Sequence, residues 1–161
     1  MKDFDKLAKA FVDEIYDYYL YEFEEVDYEE KELKHLAHWQ FMWFEFEILF
    51  YWKWWPCAYI RIPDNCIELV WILKHNWYEC VPKSEVHWWF SFGKYIQDND
   101  DNFRKFTEGW RIGRDYWHCD DYVDYMKDTS IADKLKKWTT KEILEEVIRQ
   151  ILVWRDAQLL Y

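Results

Sequence analysis

The sequence predicts an α+β fold with N-terminal helices, a central, mostly antiparallel β-sheet rich in aromatic residues, and C-terminal helices. Two observations carry this prediction. Apolar residues recur every three or four positions near both ends of the chain, whereas residues 44–55 alternate along a strand-like period of two. Helical and strand-like patterns thus occupy separate parts of the chain, which is typical of the α+β class. We expect residues 1–161 to form a single globular domain, because no flexible linker interrupts them.

The N-terminal part of the chain predicts two helices. Apolar residues follow helical spacing through residues 3–24, with charged residues between them. A second helix is predicted from Tyr28 to about Trp39, because Leu33 and Leu36 lie three positions apart and would face inward.

The stretch "FEFEILFYWKWW", Phe44–Trp55, predicts a strand. Every even position is apolar, and the three charges, Glu45, Glu47 and Lys53, all lie at odd positions. Side chains alternate between the two faces of a strand, so the even face should belong to the core. Twelve residues exceed the usual strand length of about 5–6, so we expect a bend near Leu49–Tyr51. If solvent covers the odd face, the stretch is an ordinary antiparallel strand. If the odd face is concave and half dry, a ligand pocket is favoured over an acidic interaction surface.

The middle of the chain predicts further strands separated by turns. Residues 66–73 are largely apolar on both faces and indicate a third strand, with a buried helix as the alternative. The other predicted elements are strands at 57–62, at 86–95 and, once or twice, within 103–119, a turn at 63–65 and a loop at 97–102.

The C-terminal part of the chain predicts two helices. Ser130 is the expected N-cap of a short helix that ends near Trp138. Thr139 and Glu142 form a T-x-x-E capping box, which predicts a longer helix running to about Gln158.

The charge balance narrows the classes of partner. The formal net charge is −11, and an acidic surface repels nucleic acid and anionic lipid, so we expect no direct binding to nucleic acid or membrane. Charges interrupt residues 1–20, which argues against a signal peptide, and we expect a cytoplasmic, intracellular protein. The four cysteines lack C-x-x-C spacing and are expected to be buried thiols.

Acidic residues concentrate near the N-terminus. Residues 13–32 contain ten acids and one base, Lys31, with tyrosines interleaved. On a helix, acids four positions apart would form a ladder for lysine and arginine side chains that otherwise hold phosphates. We therefore expect a non-enzymatic interaction or inhibitor protein that blocks a basic, nucleic-acid-binding protein surface. The expected partner-binding residues are Asp17, Glu22, Glu24, Glu25, Asp27 and Glu29.

Motifs for metal or cofactor chemistry are weak. Glu32, His35 and His38 have E-x-x-H-x-x-H spacing, but a di-iron site needs a second such motif on a helix, and Asp115-x-x-His118 falls in a predicted strand region. We expect no metal and no cofactor, and the histidine motif to be the polar face of a surface helix.

Two alternatives to the interaction hypothesis stay open. A curved sheet with so many aromatic rings could form a pocket for a small ligand, or an enzyme site. The expected polar and aromatic pocket residues are His87, His118, Asp115 and Trp52. The chain could also be a computationally designed protein without evolved function. In composition alone, this small acidic chain rich in tyrosine and tryptophan resembles virus-encoded inhibitors of host defence enzymes; that resemblance implies an inhibitor role and assigns no residue.

Overall fold

The first seven residues of the alternating stretch, Phe44–Phe50, form one strand of a five-stranded sheet in the computed structural model. The structure describes residues 3–18, 23–51, 55–77, 80–81, 90, 92–97, 107–116, 121–122 and 127–156. The elements in chain order are α1 (Phe4–Tyr18), β1 (Lys34–Phe41), β2 (Phe44–Phe50), β3 (Pro56–Arg61), α2 (Ile67–Lys74), β4 (Phe92–Ile96), β5 (Gly109–Asp115) and α3 (Thr140–Asp156). This arrangement confirms the α+β fold.

The sheet has the strand order β1-β2-β3-β5-β4. All four pairings between these described strands are antiparallel. The single strand with a bend that was predicted for residues 44–55 is wrong: β2 ends at Phe50, the amide of Tyr51 donates to the carbonyl of Trp55 at 3.2 Å, and the chain returns antiparallel as β3. Pro56 then begins β3, a position where a missing amide proton costs no ladder hydrogen bond.

The inner face of the sheet, the side covered by α3, holds the main core. The even positions of β2 lie there and are buried, as the alternation predicted. Trp154 of α3 is fully buried, with its ring centroid 5.6 Å from Phe44 and 5.9 Å from Phe90. Helix α1 packs on α3, and a hydrogen-bonded ion pair between Lys141 and Asp13 joins the two helices at 2.6 Å.

The helix predicted from Tyr28 to Trp39 is wrong, because residues 34–41 form strand β1. A β-bulge between His35 and Ala37 explains the misreading. The bulge adds one residue, so Leu36 and Ala37 are both buried on the inner face, and Leu33 packs on the other side of the sheet. Apolar positions three residues apart then imitate a helical period.

Two further predictions need correction. Residues 67–74 form helix α2 rather than the preferred strand; its buried side chains, Leu69 and Leu73, lie four apart on one face. The short helix expected from Ser130 to Trp138 is reduced to a 3₁₀ turn at Ala132–Lys134.

The other boundaries are tested only where the structure describes them. The structure describes helix α1 as far as Tyr18 and helix α3 as far as Asp156. It describes the strand expected at 86–95 over residues 92–96. The capping box is confirmed: the amide of Glu142 donates to Thr139 Oγ1 at 3.2 Å, and the amide of Thr139 donates to Glu142 Oε2 at 3.0 Å. None of the described helices is long and apolar enough to cross a bilayer.

Candidate functional site

The outer face of the sheet, the side away from α3, is half dry. Glu47 and Leu49, two odd positions of β2, are fully buried there. Leu49 packs with Cys57, Tyr59 and Ile96 in a second apolar cluster, separate from the main core. The odd face of β2 is therefore not an ordinary solvated strand surface.

A pocket of about 260 Å³ opens beside this second cluster. Its described lining residues are Tyr51, Trp55, Cys57, Tyr59, Phe92, Arg114 and Asp115. The hydroxyls of Tyr51 and Tyr59 lie 3.4 Å apart. The rings of Tyr59 and Phe92 are nearly perpendicular, with centroids 5.2 Å apart. Asp115 was expected in an aromatic pocket and lies in this wall; its role as a ligand-binding group stays a prediction.

Gly113 explains why two of these rings meet. It lies opposite Tyr59 of β3 on one side and opposite Phe92 of β4 on the other. A Cβ atom added to Gly113 would lie 2.5 Å from Cδ1 of Tyr59, far inside van der Waals contact. The missing side chain therefore lets the tyrosine ring lie over the glycine backbone. Gly113 is therefore a glycine inside a strand that makes room for an aromatic ring.

Burial keeps two polar groups of the pocket neutral. It raises the pKa of the Tyr59 hydroxyl well above its usual range, with Cys57 and Tyr51 adding to the effect. It also raises the pKa of the Cys57 thiol, and the nearby carboxylate of Asp115 acts in the same direction. Neither group is an anion at physiological pH.

Two histidine–glutamate pairs join β1 and β2. His35 Nδ1 contacts Glu47 Oε1, and His38 Nε2 lies 2.9 Å from Glu45 Oε1. Burial raises the pKa of the Glu45 carboxyl, but hydrogen bonds from His38 and from the Thr107 amide outweigh it and hold the pKa below its ordinary value. A shallow cleft of about 490 Å³ includes His38, Glu45 and Thr107 in its wall.

These pairs correct the earlier interpretation of the E-x-x-H-x-x-H spacing. His35 and His38 lie on a strand, not on the polar face of a surface helix, and their carboxylate partners come from β2 rather than from Glu32. The pairing of β1 with β2 brings these side chains together. His38 lies directly opposite Glu47 across a tight hairpin, and Gln40 and Glu45 are the next facing pair on the same face.

A buried polar cluster lies on the inner face under α3. The hydroxyl of Tyr116 donates to Glu146 Oε2 at 2.6 Å, and Arg114 Nη2 donates to Gln150 Oε1 at 3.2 Å. The guanidinium of Arg114 also lies 4.5 Å from the ring centroid of Phe90. The charge of Arg114 is thus engaged on the inner face, although this residue contributes to the lining of the outer pocket.

The acidic segment, residues 23–30, is irregular rather than helical and turns at Tyr28–Glu29, where the amide of Glu30 donates to the carbonyl of Asp27 at 3.0 Å; the expected helical ladder of carboxylates is therefore wrong over this part. Its backbone is fixed to the core on both sides. The amide of Glu24 donates to the carbonyl of Leu36 at 2.7 Å, and Thr140 Oγ1 donates to the carbonyl of Glu24 at 2.6 Å.

Buried and exposed side chains are interleaved along the acidic segment. Phe23 is buried, Val26 and Tyr28 are half-buried, and the Tyr28 hydroxyl donates to the carbonyl of Trp138 at 3.0 Å. The exposed side chains are the carboxylates Glu24, Glu25, Asp27 and Glu29. The remaining predicted partner-binding residues are Asp17, which is exposed at the end of α1, and Glu22, which lies outside the described residues.

Three of the four predicted pocket residues, Trp52, His87 and His118, also lie outside the described residues. Within the described ranges, no three histidine, cysteine, aspartate or glutamate side chains are grouped so as to hold a metal ion. Cys57, Cys66 and Cys80 are thiols rather than disulfides; the first two are buried and Cys80 is exposed.

The fold and the site together define an α+β protein whose sheet has one helix-covered face and one half-dry face with an aromatic pocket. A comparison with protein-family models, with curated proteins and with solved structures found no match to the chain.

Proposed function

We propose that this chain is an acidic interaction protein that binds a basic protein surface through its acidic segment. The observation that carries the proposal is the interleaving of anchors and carboxylates along residues 23–30. Buried or half-buried side chains hold the segment against the core, and exposed carboxylates point outward between them. Because the backbone is already ordered, binding costs less conformational entropy than ordering a free acidic tail would.

Charge supports the same proposal at longer range. A net charge of −11 attracts basic partners before contact and speeds their association at low salt. Exposed ion pairs are individually weak, at about 0–1 kcal/mol each, so affinity depends on several carboxylates acting together on a complementary surface. The partner class that this favours is a lysine- or arginine-rich surface of the kind that also binds nucleic acid.

The test replaces the exposed carboxylates of the acidic segment by lysine and compares binding to an immobilised lysine- and arginine-rich peptide. The test variant carries Glu24→Lys, Glu25→Lys, Asp27→Lys and Glu29→Lys. The control variant makes the same charge change at exposed acids elsewhere, Asp64→Lys, Glu68→Lys, Asp128→Lys and Asp133→Lys. Circular dichroism first establishes that both variants fold.

We expect the unchanged protein to bind, and binding to weaken steeply between about 50 mM and about 300 mM salt, as the Debye length shortens. The control variant should retain most of this binding and the test variant should lose it. Equal losses in the two variants would show that only net charge matters, and unchanged binding by the test variant would refute the proposal outright.

Small-ligand binding in the aromatic pocket is a second candidate function. The observation that favours it is the half-dry outer face, where a pocket of about 260 Å³ is lined by aromatic side chains and the half-buried carboxylate of Asp115. Ligand sites are mostly apolar hollows with a few convergent polar groups, which is the composition of this pocket.

A further inference from the structure

We infer that the aromatic pocket on the outer face binds a small organic cation, an alkylated ammonium ion such as a trimethylammonium group. This inference rests on the proposed ligand-binding role of the pocket and names the chemical class of its ligand. Two features carry it: four aromatic side chains in the lining, and a carboxylate in the same wall.

Aromatic side chains form much of the pocket wall. Tyr59 and Phe92 pack edge to face against each other, with ring centroids 5.2 Å apart and an interplanar angle of 81°, so the hollow lies beside this pair and not between its rings. Tyr51 and Trp55 extend the wall around the same hollow. Aromatic ring faces carry negative electrostatic potential, and a cation within about 6 Å of a ring centroid is attracted to it.

The charges around the pocket favour a cation over an anion. Asp115 is half-buried and is the acidic residue among the described lining residues. The guanidinium of Arg114 is engaged with Gln150 and Phe90 on the opposite face of the sheet.

Two further arginines of the outer face direct their guanidinium groups away along the strands. Arg61 Nε donates to the carbonyl of Glu108 at 2.9 Å, and Arg111 Nη2 donates to the carbonyl of Thr107. These described arginines therefore bond away from the pocket, and Asp115 contributes a carboxylate to its wall. The net charge of −11 also raises the local concentration of cations around the protein.

The size of the hollow limits the ligand. Sites for drug-sized molecules usually measure about 300–1,000 Å³, and this pocket is smaller. It suits a single head group, free or at the end of a longer chain. Because burial holds the Tyr59 hydroxyl and the Cys57 thiol in their neutral forms, the wall offers apolar contact to the alkyl groups of the ion.

The test compares choline with 3,3-dimethylbutan-1-ol, a neutral molecule of the same shape, by isothermal titration calorimetry with the full chain. We expect saturable binding of choline with a dissociation constant in the range of about 0.1–10 mM, and at least about tenfold weaker binding of the neutral alcohol. Equal affinities would refute the cation inference and leave an apolar ligand site. Absence of saturable binding by either compound up to about 50 mM would refute the ligand-binding role as well.

Three variants locate the site. Asp115→Asn keeps the shape of the wall and removes its charge, so choline affinity should fall about tenfold while the neutral alcohol is unaffected. Phe92→Leu removes one ring and should weaken choline binding severalfold. Tyr95→Leu is the matched control, because Tyr95 lies on the same strand with its ring against Trp110 on the other face.

Thermal unfolding of each variant establishes that it folds. Should Phe92→Leu fail to fold, Asp115→Asn and the comparison of the two ligands still decide the question. Loss of choline binding in Tyr95→Leu equal to that in Phe92→Leu, or unchanged choline affinity in Asp115→Asn, would overturn the assignment.

Discussion

Replacing Gly113 by alanine should destabilise the protein by about 1–2 kcal/mol, although Gly→Ala inside a strand is otherwise favourable. The new Cβ would lie 2.5 Å from Cδ1 of Tyr59 and 2.9 Å from the carbonyl oxygen of Ala58. Carbon atoms pack best at about 3.5–4.0 Å, so the tyrosine ring must move by roughly 1 Å or more. Tyr59 is only 7% exposed and is held against Phe92, which leaves the ring little room.

The magnitude follows from two opposing effects. Overpacking of a tight site costs about 1–3 kcal/mol, whereas alanine lowers the conformational entropy of the unfolded chain and returns about 0.4–1 kcal/mol. Urea unfolding followed by circular dichroism measures the difference. With a slope of about 2 kcal/mol per molar urea, the midpoint should fall by about 0.5–1 M with an unchanged slope.

A double-mutant cycle with Tyr59→Leu identifies the cause of the loss. The leucine removes the ring atom at 2.5 Å but leaves the carbonyl of Ala58 in place, so Gly113→Ala should cost less in that background by about 0.5 kcal/mol or more. A Gly113→Ala protein as stable as the parent, or an equal cost in both backgrounds, would refute the close packing of Tyr59 over Gly113.

Three further predictions concern the hairpin, a helix N-terminus and the thiols. Trp43 is 81% exposed and has φ 71° in the turn between β1 and β2. Trp43→Gly should therefore raise the free energy of unfolding, measured by urea denaturation, by up to about 1 kcal/mol. A lower free energy of unfolding in the variant would contradict the turn geometry. Burial raises the pKa of Glu142, but hydrogen bonds from the Thr139 amide and from a lysine ammonium outweigh it and lower the pKa below the ordinary value of 4.5. The stability that this carboxylate contributes is therefore complete above pH 4.5 and is lost as pH falls through the folded-state pKa, so Glu142→Gln should be less stable than the parent at pH 7 and approach it in acid; a difference independent of pH would contradict this. Iodoacetamide at pH 8 should label Cys80 in the native protein and leave Cys57 unlabelled until it unfolds, as peptide mass spectrometry would show; rapid native labelling of Cys57 would contradict its burial.

Sequence patterns predicted the fold best where the pattern depends on residues close together in the chain. The even positions of β2 are buried and the capping box at Thr139 begins α3, because both patterns depend on neighbours within a few residues. The pattern misled at His35–Ala37, where a bulge shifts the register by one residue and gives a strand an apparent helical period.

The candidate site was predictable only in part. Asp115 was expected beside aromatic rings, and the odd face of β2 was recognised as the surface that decides between a pocket and an ordinary strand. The partners Tyr59 and Phe92 were not foreseen, because they lie on β3 and β4 and meet only across Gly113 of β5. Strand order is a property of long-range pairing, which local periodicity does not encode.

By itself the sequence determined the α+β class, the strong negative charge and the inward face of β2, since composition and side-chain alternation act locally. Only the tertiary structure decided that the other face of β2 is half dry. Burial of Glu47 and Leu49 depends on which strands and side chains lie beside them, and those neighbours come from distant parts of the chain. The same long-range packing places the rings of Tyr59 and Phe92 next to Asp115 and turns an alternating strand into the wall of a pocket.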